Sequence, residues 1–276
     1  MSNSTSLSSE HYHYQQLYSF AKKIVVNANE ILLKHFQQSG LCIREKPDQG
    51  IVTEADFESQ DYLMKEIKRA YPDSSFIAEE ESSIDETSAL KRRDSEFTWI
   101  IDPLDGTVNF ASGLPWFSIS LAVEHAGKVV VGIVHQPILN IHFHAICSGG
   151  AYQNDRSISV SKVANLSDAV LATGFSYMRD IDLSPEISRF ERIHNQVRAI
   201  RRFGSAALDL AYTAAGRYDG YFEKNLAPWD VAAGYLIAKE SGATLTNYQD
   251  EELTIFSKSF LVTNGILHQK LRANLL

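Results

Sequence analysis

From Phe97 onward the sequence gives up helical periodicity for a succession of short apolar runs: FTWII, FSISLAVEH, KVVVGIVHQP and IHFHAI, with a further stretch near 157–160. Runs of this length, rich in β-branched and aromatic residues and only a few residues apart, read as strands joined by tight turns, one of them at Gly127-Lys128. What flanks the run limits the architecture. Before it, Leu17, Phe20, Ala21, Ile24, Ala28, Ile31 and Leu32 recur at helical spacing and predict one long amphipathic helix over about 10–38. Thr53-Glu54-Ala55-Asp56 has the form of a capping box and opens a second helix to about Tyr71, where Pro72-Asp73 breaks it. SFIA then reads as a strand that delivers Glu79 and Glu80, and residues 80–96 are polar and aperiodic, an exposed loop. After the strands, helix and strand alternate: a helix near 185–197, a strand near 198–203, a helix in SAALDLAYTAAG, a strand in YDGYFE and a helix in PWDVAAGYLIAKESG. SFLVTNG and a closing helix follow. Helices, then antiparallel strands, then a βα-rich half predict a layered α and β architecture in two closely packed subdomains, about 10–160 and about 161–276. No internal repeat and no linker rich in Pro or Gly interrupts it.

At 276 residues the chain can bury a sizeable core. Its net charge of −8 argues against a nucleic-acid or anionic-membrane partner held by long-range attraction, and an anionic substrate would need a local positive element. The two cysteines, Cys42 and Cys147, form no CxxC motif, which fits a reducing compartment and no structural zinc. The polar, Ser-rich start MSNSTSLSSEHYHY has no apolar core of signal-peptide length, and no run approaches a membrane span. A cytoplasmic protein with a frayed start, carrying His11 and His13, is expected.

The chemistry concentrates in WIIDPLDGTVNF. An apolar strand ends in Asp102 and Asp105, with Pro103 stiffening the turn between them. Two neighbouring carboxylates repel unless a cation lies between them, and carboxylates with backbone carbonyls are the ligands that Mg²⁺ prefers. Gly106-Thr107 adds backbone N–H groups where a phosphate is favoured. Metal carboxylates abutting an anion cradle point to metal-assisted phosphoryl chemistry; a pair of turn-capping aspartates is the bland alternative. Haloacid-dehalogenase-type phosphatases also place Gly-Thr after an aspartate pair, but spaced i, i+2; the i, i+3 spacing with an intervening Pro excludes that geometry. Glu79-Glu80 at a strand end and Asp230 at a helix start are further acids, each explicable singly as a cap or dipole partner, as Asp56 is in its capping box.

FIAEE upstream, WIIDPLDGTVNF and PWDVAAG downstream together resemble the inositol monophosphatase family over nearly the whole chain. The resemblance implies a layered αβαβα sandwich of the inositol monophosphatase and fructose-1,6-bisphosphatase type. It implies a Mg²⁺-dependent, lithium-sensitive phosphomonoesterase with two or three ions per site, Mn²⁺ as an alternative, and Ca²⁺ and Li⁺ as inhibitors. By resemblance Glu79, Asp102 and the Leu104 carbonyl hold one metal, and Asp102, Asp105 and Asp230 another. Thr107 and Asp56, with Glu79, orient and deprotonate the attacking water, and the Gly106 and Thr107 amides cradle the phosphate. Gly204, Ser205, Ala206 and Glu223 contact the alcohol of the substrate. Inositol 1-phosphate is the first expected substrate; fructose 1,6-bisphosphate, NADP and adenosine 3′,5′-bisphosphate are the alternatives, and a regulatory or binding protein on the same fold is the rival class. A homodimer is implied, with no nucleic-acid or membrane partner.

The chain departs from the family at SGGAYQND, where Ser148 and Asp155 replace glycines, a change expected to lie away from the metals. His135, His142 and His144 lack a neighbouring carboxylate motif, so surface or packing roles are expected. Arg198, Arg201, Arg202 and Lys91-Arg92-Arg93 read as solvated clusters, with Arg201 or Arg202 placed to draw in phosphate.

Overall fold

The computed structural model describes residues 9–36, 42–46, 50–81, 95–176 and 182–276. Helix α1 (Ser9–Phe36) leads to a hairpin of β1 (Ile43–Lys46) and β2 (Gly50–Thr53), then to α2 (Glu54–Ala70). A seven-stranded sheet follows in chain order: β3 (Ser75–Ala78), β4 (Phe97–Asp105), β5 (Ser118–His125), β6 (Lys128–Gln136), β7 (Ile141–Ile146), β8 (Ala151–Gln153) and β9 (Arg156–Ser157). Only β3 and β4 pair in parallel. One-turn helix α3 (Thr107–Ala111) sits between β4 and β5. Next come β10 (Val170–Thr173), α4 (Ser184–His194), β11 (Ala199–Arg201), α5 (Ala206–Ala214), β12 (Gly220–Lys224), α6 (Pro228–Glu240), β13 (Thr244–Thr246), β14 (Ser259–Thr263) and α7 (His268–Leu275). Their strands form a second sheet in the order β11-β10-β12-β14-β13.

Side-chain alternation stacks these pieces into five layers. In β4 and β5, Trp99, Ile101, Ile119, Leu121 and Val123 join the α1/α2 core, while Ile100 and Ala122 face the α5/α6 core. In the smaller sheet, Ala172, Tyr221, Phe260 and Val262 turn inward to α5 and α6, whereas Leu171, Phe222 and Leu261 turn outward to α4 and α7. Both sheets are covered on both faces, which is why their central strands read as nearly unbroken apolar runs. The result is the αβαβα sandwich expected. Among the described residues no helix is long and apolar enough to cross a membrane.

The central helix layer lies close on the large sheet because the contact is made of small residues. Ala122, Gly132 and Ala145 form one row across β5, β6 and β7. A Cβ at Gly132 would stand 2.7 Å from the Ala233 carbonyl oxygen of α6. Gly132→Ala is therefore expected to cost about 1–3 kcal/mol, since helix backbone has to move. A urea midpoint lowered with an unchanged slope is the expected result; wild-type stability would contradict this packing.

Several expectations are corrected. The start is helical from Ser9, and His13 stacks on Phe97 with ring centroids 5.3 Å apart, so His11 and His13 belong to α1 and not to a frayed tail. The strand expected near 157–160 ends at Ser157. Strands β1, β2, β8, β10 and β13 have no counterpart in the periodicity reading. At SGGAYQND, Ser148 takes the left-handed conformation (φ 60°) without being glycine, and the Ser148 and Gly150 amides both donate to Glu240. Lys91-Arg92-Arg93 and most of the 80–96 loop lie outside the described residues.

Candidate active site

Strict alternation along β4 would send Asp102 and Asp105, three positions apart, to opposite faces of the sheet. The register prevents this: Asp102 pairs with Ser120 and Asp105 with Ser118, so β4 carries one residue more than β5 between them. A bulge of this kind re-aims a side chain, and Pro103 fits it because a bulge tolerates a missing N–H. Pro103 thus lies within a bulged strand, not in a turn after it. Both aspartates consequently line one cavity of about 400 Å³. Parallel β3 brings Glu79 beside them, since Ala78 is level with Ile101. Asp230, in the first turn of α6, reaches the same cavity, as do Glu223 at the end of β12 and Asp209 in α5.

Each aspartate is held by one oxygen. Asp102 Oδ1 accepts from the Leu104 amide at 3.0 Å, and Asp230 Oδ2 from the Ala227 amide at 2.7 Å. Asp105 Oδ2 accepts from the Ser205 hydroxyl, from the Ala207 amide at 3.0 Å and from the Ser118 hydroxyl at 3.3 Å. The second oxygen of each is left for the cavity. Ser205 lines the cavity as expected, but its hydroxyl is committed to Asp105, so it orients a carboxylate.

Gly106 turns the chain from β4 into α3 at φ 94°; a Cβ there would meet the Trp116 carbonyl oxygen at 3.0 Å, so only glycine fits. The next residue, Thr107, has its hydroxyl 3.1 Å from Asp56 Oδ1 and 3.0 Å from the Leu104 carbonyl, and its single proton serves one at a time. Asp56 Oδ2 accepts from the Thr53 amide at 2.8 Å and hydroxyl at 2.6 Å. Asp56 is therefore both the cap of α2 and the support behind Thr107; the two readings coexist on its two oxygens.

Gly204 (φ 79°) and Ala206 complete one wall, and Arg202 stands on the same rim, whereas Arg201 does not line the cavity. Glu223 Oε2 accepts from the Tyr221 hydroxyl at 2.7 Å. His135, His142 and His144 lie elsewhere, on β6 and β7, with successive rings tilted against one another at centroid distances of 5.7 and 5.3 Å and Tyr18 stacked on His144. They are packing residues, and burial lowers His135 to about 4 and His142 to about 3.

Burial, then the repulsion of Glu79, Asp105 and Asp230, pushes Asp102 well above the usual carboxylate range; burial and the charges of Glu79 and Asp105 do the same to Asp230. Burial raises Asp105 to about 6 against its hydrogen bonds, and Asp56 to about 6 likewise. Among the described residues no three acidic, histidine or cysteine side chains already close on a common centre. The lining is an open array of oxygen donors with no histidine or cysteine, which suits a hard ion that keeps water and substrate oxygens among its ligands. The repelling carboxylates and their uncommitted oxygens fit such an ion.

A stability test follows. Raised carboxylate pKa values mean that the folded state holds protons the unfolded state has lost. Their contribution is complete below the unfolded value of 3.8 and disappears as pH rises through the folded values, about 6 for Asp105. A cation replaces those protons, so millimolar Mg²⁺ is expected to raise the Tm by about 5 °C at pH 8 and by about 1 °C at pH 5. No histidine lines the cavity, so the difference between the two pH values isolates the carboxylates. An equal shift at both pH values would contradict this electrostatic account.

Comparison with known proteins identifies the family. The model of the inositol monophosphatase family matches residues 13–276. A fructose-1,6-bisphosphatase/inositol-1-monophosphatase of Thermotoga maritima is 38% identical over 251 residues, covering 91% of this chain and 92% of the relative. A Nus factor SuhB of Pasteurella multocida is 38% identical over 222 residues, 80% of this chain and 81% of the relative. The crystal structure of extragenic suppressor protein suhB from Bartonella henselae superposes with a TM-score of 0.87 at 34% identity, covering 94% of this chain and 98% of that one. With its fold, its bulged aspartate strand and a match that runs from α1 to the last residue, the chain belongs to the inositol monophosphatase family.

Proposed function

We propose that the chain is a Mg²⁺-dependent phosphomonoesterase acting on a small phosphorylated polyol, inositol 1-phosphate first. The observation that carries this reading is the meeting, in one cavity, of an oxygen-only carboxylate lining with the Thr107–Asp56 pair. Glu79, Asp102, the Leu104 carbonyl, Asp105 and Asp230 would hold Mg²⁺, which when bound supplies electrophilic pull on phosphate oxygens and acidifies water. The Gly106 and Thr107 amides offer donors to the phosphate. Thr107 Oγ1 accepts from the attacking water while passing its own proton to Asp56 Oδ1. Burial helps here: a carboxyl raised to about 6 is ionised at neutral pH yet more basic than an exposed aspartate. The alcohol then lies against Ala206 and Glu223, whose carboxyl accepts its hydroxyl protons.

Arg202 favours one second reading. A guanidinium on the rim gives a second phosphate a partner, so fructose 1,6-bisphosphate is the next candidate. Phosphate release over about ten phosphomonoesters, with and without Mg²⁺, separates these. Highest kcat/KM for inositol 1-phosphate supports the first reading and highest for the bisphosphate the second. No Mg²⁺-dependent release from any of them would leave the chain a binding protein on a phosphatase fold.

A further inference from the structure

Asp209 lines the cavity but has no part in the chemistry so far described. It is 1% exposed, and its Oδ1 is buried without a hydrogen-bond partner. The contrast with its neighbours is sharp. Asp102, Asp105, Glu223 and Asp230 each accept at least one protein hydrogen bond. The hydroxyls one turn away on the same helix are spent elsewhere, Ser205 on Asp105 and Thr213 on the Asp209 backbone carbonyl. Leaving a buried acceptor unpaired destabilises a fold, and each such group calls for an explanation.

The surroundings supply one. Glu223 and Arg202 line the same cavity; the charges of Glu223 and Asp105 oppose that of Asp209, and Arg202 offsets them in part. Gly174 makes the space: any Cβ there would fall inside the Glu223 carboxylate. The cavity lining therefore includes both the Asp209 and the Glu223 carboxyl groups. Burial holds both above the usual range, Glu223 at about 7. A carboxylate oxygen with no protein partner is open to accept a hydrogen bond from a hydroxyl group. Two carboxyl groups lining one cavity offer several such acceptors, so adjacent hydroxyls of a polyol match them.

We propose that Asp209 is a specificity-determining residue that, beside Glu223, binds hydroxyl groups of the substrate's alcohol and selects polyhydroxylated leaving groups over aryl or simple alkyl ones. This rests on the phosphomonoesterase reading above.

The test compares wild type, Asp209→Ala and Asp209→Asn on myo-inositol 1-phosphate and p-nitrophenyl phosphate with Mg²⁺, alongside thermal melts. Asp209→Ala is expected to lower the ratio of kcat/KM values, inositol 1-phosphate over p-nitrophenyl phosphate, about tenfold, with the loss in KM. Asp209→Asn, which still donates and accepts, is expected to recover most of that ratio. Both variants are expected to melt at or above wild type, because an unpaired buried acid has been removed. An unchanged ratio, or a lower Tm with equal losses on both substrates, overturns the proposal and leaves the phosphatase reading standing. A wild-type protein that hydrolyses neither compound overturns both.

Discussion

Asp102→Asn is expected to lower kcat/KM for phosphate release at least about a thousandfold while the protein melts at or above the wild-type temperature. The two halves of this expectation have one cause. Asp102 is 1% exposed at the bulge of β4, and its charge is opposed by Glu79, Asp105 and Asp230. Asparagine keeps an oxygen to accept the Leu104 amide, so the strand and its bulge persist. What disappears is a negative charge at the centre of a repelling cluster. The metal-free fold is relieved, and a cation bound by these residues would lose one of the carboxylates that hold it. Asp230→Asn, at the first turn of α6, is expected to cost less. Turnover within tenfold of wild type in Asp102→Asn, or a larger loss in Asp230→Asn, would contradict the leading role given to the Asp102 carboxylate.

Thr107→Ala is expected to lower kcat about a hundred- to ten-thousandfold with little change in KM or Tm, the signature of a group that acts in the transition state. Its hydroxyl is the link between the cavity and Asp56, and no other residue bridges them in the hydrogen bonds described. Asp56 needs a variant that spares the helix cap. Asp56→Ala would remove the acceptor of the Thr53 amide and hydroxyl and cost about 1 kcal/mol as a lost cap, confounding rate with stability. Asp56→Asn can still accept from Thr53 through its single oxygen, and its amide then faces Thr107, which turns its proton to the Leu104 carbonyl. A near-wild-type melt with kcat reduced as far as in Thr107→Ala is expected. Full activity in Asp56→Asn would make Asp56 a cap and nothing more.

Much of this geometry is legible in the sequence because it rests on signals that local physics writes plainly. The capping box at Thr53 to Asp56 forms as its residue types dictate, and the acids at the ends of SFIA and FTWII converge because neighbouring strands carry them. Three features escape a reading of local pattern. The extra residue at Pro103 and Leu104 is a property of pairing with β5, so the common orientation of Asp102 and Asp105 appears only with the register. Strands β1, β10 and β13 are three or four residues long, too short to show a period. Asp209 reads as an ordinary acid in the first turn of a helix. The available signal is that Leu208 and Leu210 flank it and no basic residue stands one turn away, which leaves a charge on a buried face without a partner. His135 and His142, read as surface or packing residues, prove to be packing residues because β6 and β7 pair them under Tyr18.

The most direct test is inorganic phosphate release from myo-inositol 1-phosphate by chelator-stripped protein as Mg²⁺ is titrated back. No release without metal and a saturable return of turnover with Mg²⁺ is the predicted result; release that is indifferent to Mg²⁺, or none at any Mg²⁺ concentration, would contradict it.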